Sequence, residues 1–186
     1  MLAIIGGSGL TQLANLTFKH RLAVRTPYGE PSGPLTIGEI AGRELVFLAR
    51  HGYGHTIPPH QVNYRANIWA LHAQGVNEVL SVASVGGIRA DMQPGVLAAP
   101  DQIIDYTWSR QHTFFDSDLD KVTHAEFTQP YSEALRKLLS SEDVLAAFEK
   151  QGAHSQFVTP EELSAKLQNE GGKWMAAAKE AGLKGD

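Results

Sequence analysis

The chain has 186 residues, 42% hydrophobic and 19% charged, with a net charge of −4 and no cysteine. That length suits one filled core, or a core with a small appendage, in an ordinary globular protein. The acidic balance argues against a phosphate-tracking nucleic-acid surface, and the lack of cysteine excludes disulfides, thiolate metal sites and thiol nucleophiles.

The opening "MLAIIGGSGL" has no basic segment, and glycine interrupts it too early for a signal peptide. No apolar run approaches the ~18 residues of a membrane span, so a cytoplasmic location with no membrane partner is expected. Residues 2–5 are a short apolar run closed by Gly6 and Gly7, the pattern of a buried strand opening onto a turn. Residues 35–40 and 44–49 alternate around Gly42 and predict a hairpin. Residues 63–74 place Ala66, Trp69, Ala70 and Ala73 at helical spacing before Gly75. "VNEVLSVASVGG" predicts a second buried strand and "GVLAAPDQIIDY" a third, so strand, helix and strand imply a partly parallel sheet in an α/β fold. From Ser140 onward the pattern becomes helical. Ser140 with Asp143 resembles a capping box before "VLAAFEKQ", with Gly152 as its stop. Thr159, Pro160 and Glu162 predict the start of a last helix, and "SQFV" is the one short strand candidate.

Three stretches carry chemistry. In "IIGGSGL" a strand runs into glycines and Ser8, so backbone N–H groups and a hydroxyl could converge on an anion; a plain tight turn is the alternative. The spacing is not that of a dinucleotide site. In "RHGYGHTIPPHQVNYRANIWAL", Arg50 and His51 follow an apolar strand, where a loop would set them over a crevice. An arginine fork grips two phosphate oxygens and a histidine could donate another hydrogen bond, although both could simply be loop residues. His51, His55 and His60 suggest a metal site only weakly, because Gly52 and Gly54 oppose a helix and no carboxylate lies nearby. "VASVGGI" repeats the strand-to-glycine theme with Ser84 as a further hydroxyl, or is a buried strand end. Together the three describe strand ends gathered around an anion.

These stretches, with "TPYGEPS" and "DQIIDYT", resemble the methylthioadenosine and methylthioinosine phosphorylase branch of the purine nucleoside phosphorylase family over roughly residues 2–138. The resemblance implies a mixed-sheet nucleoside phosphorylase-like domain. It also implies phosphorolysis of a 5′-methylthio purine nucleoside by inorganic phosphate, with no cofactor or metal, in a homotrimer. By family position Ser8, Arg50, His51, Ala83 and Ser84 would bind phosphate, Ala83 through its backbone where many relatives carry a hydroxyl or amide side chain. His124 would reach a neighbouring subunit's substrate pocket. The family's later strands, its methionine-centred ribose contact and the carboxylate that protonates the base have no match after Leu139, so no catalytic residue is assigned and weak turnover is expected. Residues 140–186 instead resemble the C-terminal end of substrate-binding proteins of tripartite tricarboxylate transporters. The expected organisation is therefore residues 1–139 as an incomplete phosphorylase-like domain and 140–186 as a helical tail of different origin. The rival expectations are a non-catalytic binding or interaction protein related through that tail, and a hybrid without function.

Overall fold

The computed structural model describes residues 1–7, 10, 13, 15–111, 113–116 and 122–155. It divides into two units, one formed by Met1–Gly86 with Asp105–Ala125, the other by Gly87–Ile104 with Glu126–Asp186.

In the first unit a five-stranded mixed sheet runs in the order β2-β3-β4-β1-β5, from β1 (Leu2–Gly6), β2 (Thr17–Leu22), β3 (Leu35–Ile40), β4 (Arg43–Ala49) and β5 (Glu78–Ser81). The parallel partners of β1 are β4, with Gly6 opposite Ala49, and β5, with Ile5 opposite Ser81. Strands β3 and β4 form the expected antiparallel hairpin. Ala41 and Gly42 both have positive φ, 50° and 74°, the requirement of a two-residue type I′ turn.

Alternation along the strands sorts their side chains onto two faces. Ala3, Ile5, Leu35, Ile37, Val46 and Leu48 form one cluster with Ala70, Leu71 and Val76, while Leu45, Phe47 and Ala49 form the other with Ile4, Leu10, Leu13 and Leu16. Burying a side chain such as Leu48 contributes about 1.5–3 kcal/mol. The first face is covered by helix α1 (Tyr64–His72). Asn63 caps it by accepting from the Ala66 N–H at 3.0 Å, and Gly75 ends it at φ 74°.

The helix exists where expected, but its buried face is Ala66, Asn67, Ala70 and Leu71. Trp69 is only half-buried and Ala73 is exposed. Asn67 faces inward because its amide clasps Ser32: the Ser32 N–H donates to Oδ1 at 2.7 Å and Nδ2 donates to Ser32 Oγ at 2.9 Å. That pair fastens the loop before β3 to the helix. Strand β2 was not anticipated, since "TFKHRL" is almost wholly exposed and lacks a buried face. It pairs with β3, and Lys19 reaches Glu44 at 2.9 Å and Glu39 at 3.3 Å. The second predicted strand is shorter than expected: β5 ends at Ser81, and Val79 is 46% exposed instead of buried, because no further strand lies beyond it among the described residues.

In the second unit the third predicted strand reduces to β6 (Val96–Leu97), parallel to β7 (His154–Ser155). Residues 98–104 carry no strand, and neither do residues 105–108 of the first unit; Pro100 removes a ladder donor in this stretch. Helix α2 (Glu133–Leu139) was not anticipated; Ser132 caps it by accepting from the Ala134 N–H. Helix α3 (Glu142–Glu149) is present, with Gly152 at φ 73° shortly after it. It lacks the expected side-chain cap, because the hydroxyls of Ser140 and Ser141 donate back to the carbonyls of Arg136 and Leu138, at 2.8 and 2.7 Å. The predicted helix opening at Thr159, Pro160 and Glu162 lies outside the described residues, as does all of "SQFV" except Ser155.

Candidate functional site

Strands β4, β1 and β5 are parallel neighbours, so their carboxyl ends lie side by side. The ladder runs one bond past each outer strand: the Arg50 N–H donates to the Gly6 carbonyl at 2.9 Å and the Val82 N–H to the Ile5 carbonyl at 3.0 Å. These bonds place Arg50, Gly7 and Val82 at one point of the sheet edge. A Cβ built on Gly7 would stand 2.5 Å from Arg50 Nη2 and 2.7 Å from the Val82 carbonyl oxygen. The guanidinium therefore lies directly over glycine backbone that no side chain screens. Gly6 is constrained in the same way, its Cβ position being 2.0 Å from the Leu10 carbonyl oxygen and 2.9 Å from the Phe47 ring.

His51 is held from both sides. Its Nδ1 lies 2.8 Å from the Ile57 carbonyl, which can only accept, so Nδ1 carries the proton. Its Nε2 faces Arg50 Nε at 3.4 Å and accepts from it in the neutral ring. His51 thus steadies Arg50, and it donates to an anion through Nε2 only as imidazolium. His51 is 8% exposed and its ring packs against that of His55, with centroids 4.9 Å apart. The loop that presents it turns at Gly52, with φ 74°, and is closed by the Ile57 N–H donating to the His51 carbonyl at 3.1 Å. Beside it lies an open cavity of about 370 Å³ lined by His51, His55, Thr56, Ile57, Pro58 and Pro59.

Of the residues singled out from sequence, Arg50 and His51 are brought together, and Ala83 and Ser84 follow directly on Val82, both exposed. Ser8 lies outside the described residues. His124 is exposed, in the same unit. No cluster of three potential metal ligands occurs among the described residues.

Sequence reasoning did not find two further parts. One is the Ile57 carbonyl, which sets the His51 tautomer; a main-chain acceptor leaves no residue-type signal. The other is Arg65 on α1, whose Nη1 donates to Asp116 Oδ2 at 2.7 Å and the Thr113 carbonyl at 3.3 Å, while Nη2 donates to Gln111. The Arg65 guanidinium also stands 5.0 Å from the Tyr28 ring, and Tyr28 meets Phe114 edge to face at 5.1 Å. It fastens Gln111, Thr113 and Asp116 to the helix that follows the His51 loop.

Residues 1–168 match the family model of the phosphorylase superfamily. The chain is 58% identical over 134 residues to a probable S-methyl-5′-thioinosine phosphorylase of Pseudomonas syringae pv. tomato, a match covering 72% of this chain and 54% of the relative. It is 49% identical over 140 residues to the S-methyl-5′-thioadenosine phosphorylase of Hyperthermus butylicus, covering 75% and 50%. Among solved structures, methylthioadenosine phosphorylase from Schistosoma mansoni in complex with adenine superposes with a TM-score of 0.68 at 38% identity, covering 74% of this chain and 51% of that one. The chain spans about half the length of these relatives. With the mixed sheet and the gathered strand ends on the same matched stretch, the chain belongs to the phosphorylase superfamily.

Proposed function

We propose that this chain holds inorganic phosphate at the carboxyl ends of β1, β4 and β5. The reaction it serves is the reversible phosphorolysis of 5′-methylthio purine nucleosides, giving free base and methylthioribose 1-phosphate. The observation that supports this most directly is Arg50 Nη2 standing 2.5 Å from where a Gly7 Cβ would lie, over glycine backbone with no side chain between. An arginine fork above unscreened backbone suits a tetrahedral oxyanion, and its rigidity comes from His51 and Ile57 behind it.

In that reaction a phosphate oxygen forms a bond to the anomeric carbon while the carbon–nitrogen bond to the base breaks. The bonding pair departs with the base, which takes up a proton. An anion fixed beside the sugar stabilises the positive charge that develops there. The Ser84 hydroxyl, the backbone of Ala83 and Ser84, and Ser8 complete the phosphate site in this proposal. His124 serves a neighbouring subunit's substrate pocket in a trimer. Proton delivery to the base is assigned to no residue of this chain, so phosphate binding with weak or absent cleavage is the expected property. Names of the relatives support methylthio nucleosides as the substrate class.

Thermal unfolding with and without millimolar phosphate tests the proposal, since a ligand held by the native state alone raises its stability by mass action. A rise in midpoint that Arg50→Ala abolishes is expected. A cooperative transition indifferent to phosphate would sink it.

A further inference from the structure

Arg50 and His51 meet in an arrangement that leaves the imidazole no hydrogen to offer an anion. The ring's one proton sits on Nδ1, committed to the Ile57 carbonyl at 2.8 Å, and Nε2 keeps a lone pair that faces Arg50 Nε at 3.4 Å. That contact is long for a hydrogen bond between nitrogens. The Nε and Nη2 hydrogens of a guanidinium share one edge, and this edge can grip two oxygens of an oxyanion. In Arg50 the edge has Gly7 beneath its Nη2 end and His51 Nε2 facing its Nε end. An oxyanion seated along it therefore meets a lone pair where it needs a donor, and lone pairs repel.

We propose, resting on the phosphate reading, that the site takes up its oxyanion together with one proton, held between His51 Nε2 and an anion oxygen. The balance closes by two routes. Neutral His51 and the hydrogen phosphate dianion take one proton from solvent, whereas the dihydrogen phosphate monoanion brings that proton itself; both give the same complex. Without the anion, a proton on Nε2 would set its N–H against the Arg50 N–H. Anion and proton thus favour each other, and the coupling is reciprocal. Among the described residues, the groups able to carry charge that face the ring are Arg50, just past the end of β4, and His55 of the same loop, its ring 4.9 Å away. No carboxylate is paired with His51 there to hold the proton in the anion's place.

Sulfate separates the protein's proton from the ligand's. It stays a dianion across the range of about pH 5 to 8 in which histidine changes charge, so a proton bound along with it sits on the protein. The experiment titrates the full chain calorimetrically with sodium sulfate at about pH 8, in two buffers of different ionisation enthalpy, which counts the protons taken up. About one proton per sulfate is expected, with affinity falling about tenfold per pH unit above the histidine range. The sign follows from the form that binds: affinity is fullest where imidazolium is abundant and is lost as pH rises. Nitrogen NMR of the His51 ring should show a proton on Nδ1 alone in the free chain and on both nitrogens with sulfate bound. His51→Gln, which keeps a donor but cannot titrate, should bind sulfate with neither proton uptake nor pH slope. His55→Gln should retain both.

Sulfate binding without proton uptake would overturn the coupling and leave the phosphate reading standing. Uptake that survives His51→Gln and disappears in His55→Gln would overturn it too, by moving the proton to the neighbouring ring. Failure of both sulfate and phosphate to bind, down to about pH 5, would overturn the phosphate reading and this inference with it. The proton count and the ring NMR use the parent chain, so they decide the matter even where a variant fails to fold.

Discussion

At the residue scale the site depends on one contact that a methyl group would destroy. Gly7 has ordinary backbone freedom available to other residues, but its Cβ position is occupied by Arg50 Nη2 at 2.5 Å and the Val82 carbonyl at 2.7 Å. The guanidinium could swing away; the carbonyl, on backbone pinned by the Val82 bond to Ile5, could not move without opening the ladder. Gly7→Ala is therefore expected to cost about 1–3 kcal/mol in denaturant unfolding and to reduce the phosphate-induced rise in midpoint, because Arg50 leaves its place. A variant as stable as the parent and equally responsive to phosphate would show that the close approach is incidental. The identities of Arg50 and His51, and the glycines at the first strand end, were legible in the sequence, since chemistry follows residue type and strand ends follow the apolar runs. The orientation of His51 was not, because its partner is the carbonyl of Ile57 and any residue supplies a carbonyl.

At the element scale, what the sequence revealed depended on whether an element owns a buried face. Strands β1, β3 and β4 and helix α1 each bury one, and their periodicity announced them. Strand β2 is defined by backbone pairing and by the Lys19 ion pairs, so its composition read as loop; β5 has the composition of an interior strand but lies at an edge. Two measurements bear on the hairpin and its neighbour. Ala41 occupies a left-handed position at φ 50°, which costs a residue with a Cβ about 1–2 kcal/mol, whereas asparagine tolerates it. Ala41→Asn is expected to raise stability by about 0.5–1 kcal/mol, read as a shifted denaturant midpoint with unchanged slope. Next, the hydrogen bond from Lys19 lowers the Glu44 carboxyl below its ordinary 4.5, and its bonds to Glu44 and Glu39 raise Lys19 above its ordinary 10.5. What Glu44 contributes is thus fully present above its ordinary value and lost as pH falls through the lowered one. What Lys19 contributes is present below its ordinary value and lost as pH rises through the raised one. Lys19→Met should move the Glu44 carboxyl titration, followed by NMR, back up toward 4.5. An unmoved titration would mean that the pair does not form in solution.

For the whole molecule, the question is how a chain of net charge −4 would hold the proposed phosphate. Long-range attraction cannot supply it, because the mean field opposes an anion and salt screens that field over about 8 Å at physiological ionic strength. Binding must come from short directional contacts at one place, which is what an arginine fork over bare glycine backbone offers. Geometry and charge then separate the anions. Phosphate and sulfate, both tetrahedral oxyanions, should raise the unfolding midpoint, whereas chloride at matched ionic strength should leave it nearly unmoved. At a hundredfold excess over the dissociation constant, native-state binding contributes about 2.7 kcal/mol. In a chain of this length that corresponds to a shift of roughly 5–10 °C. Equal shifts with all three salts would assign the effect to screening of the chain's own charge and would leave Arg50 without a ligand. A shift confined to the oxyanions and lost in Arg50→Ala would place the binding at the β1, β4 and β5 ends, as proposed.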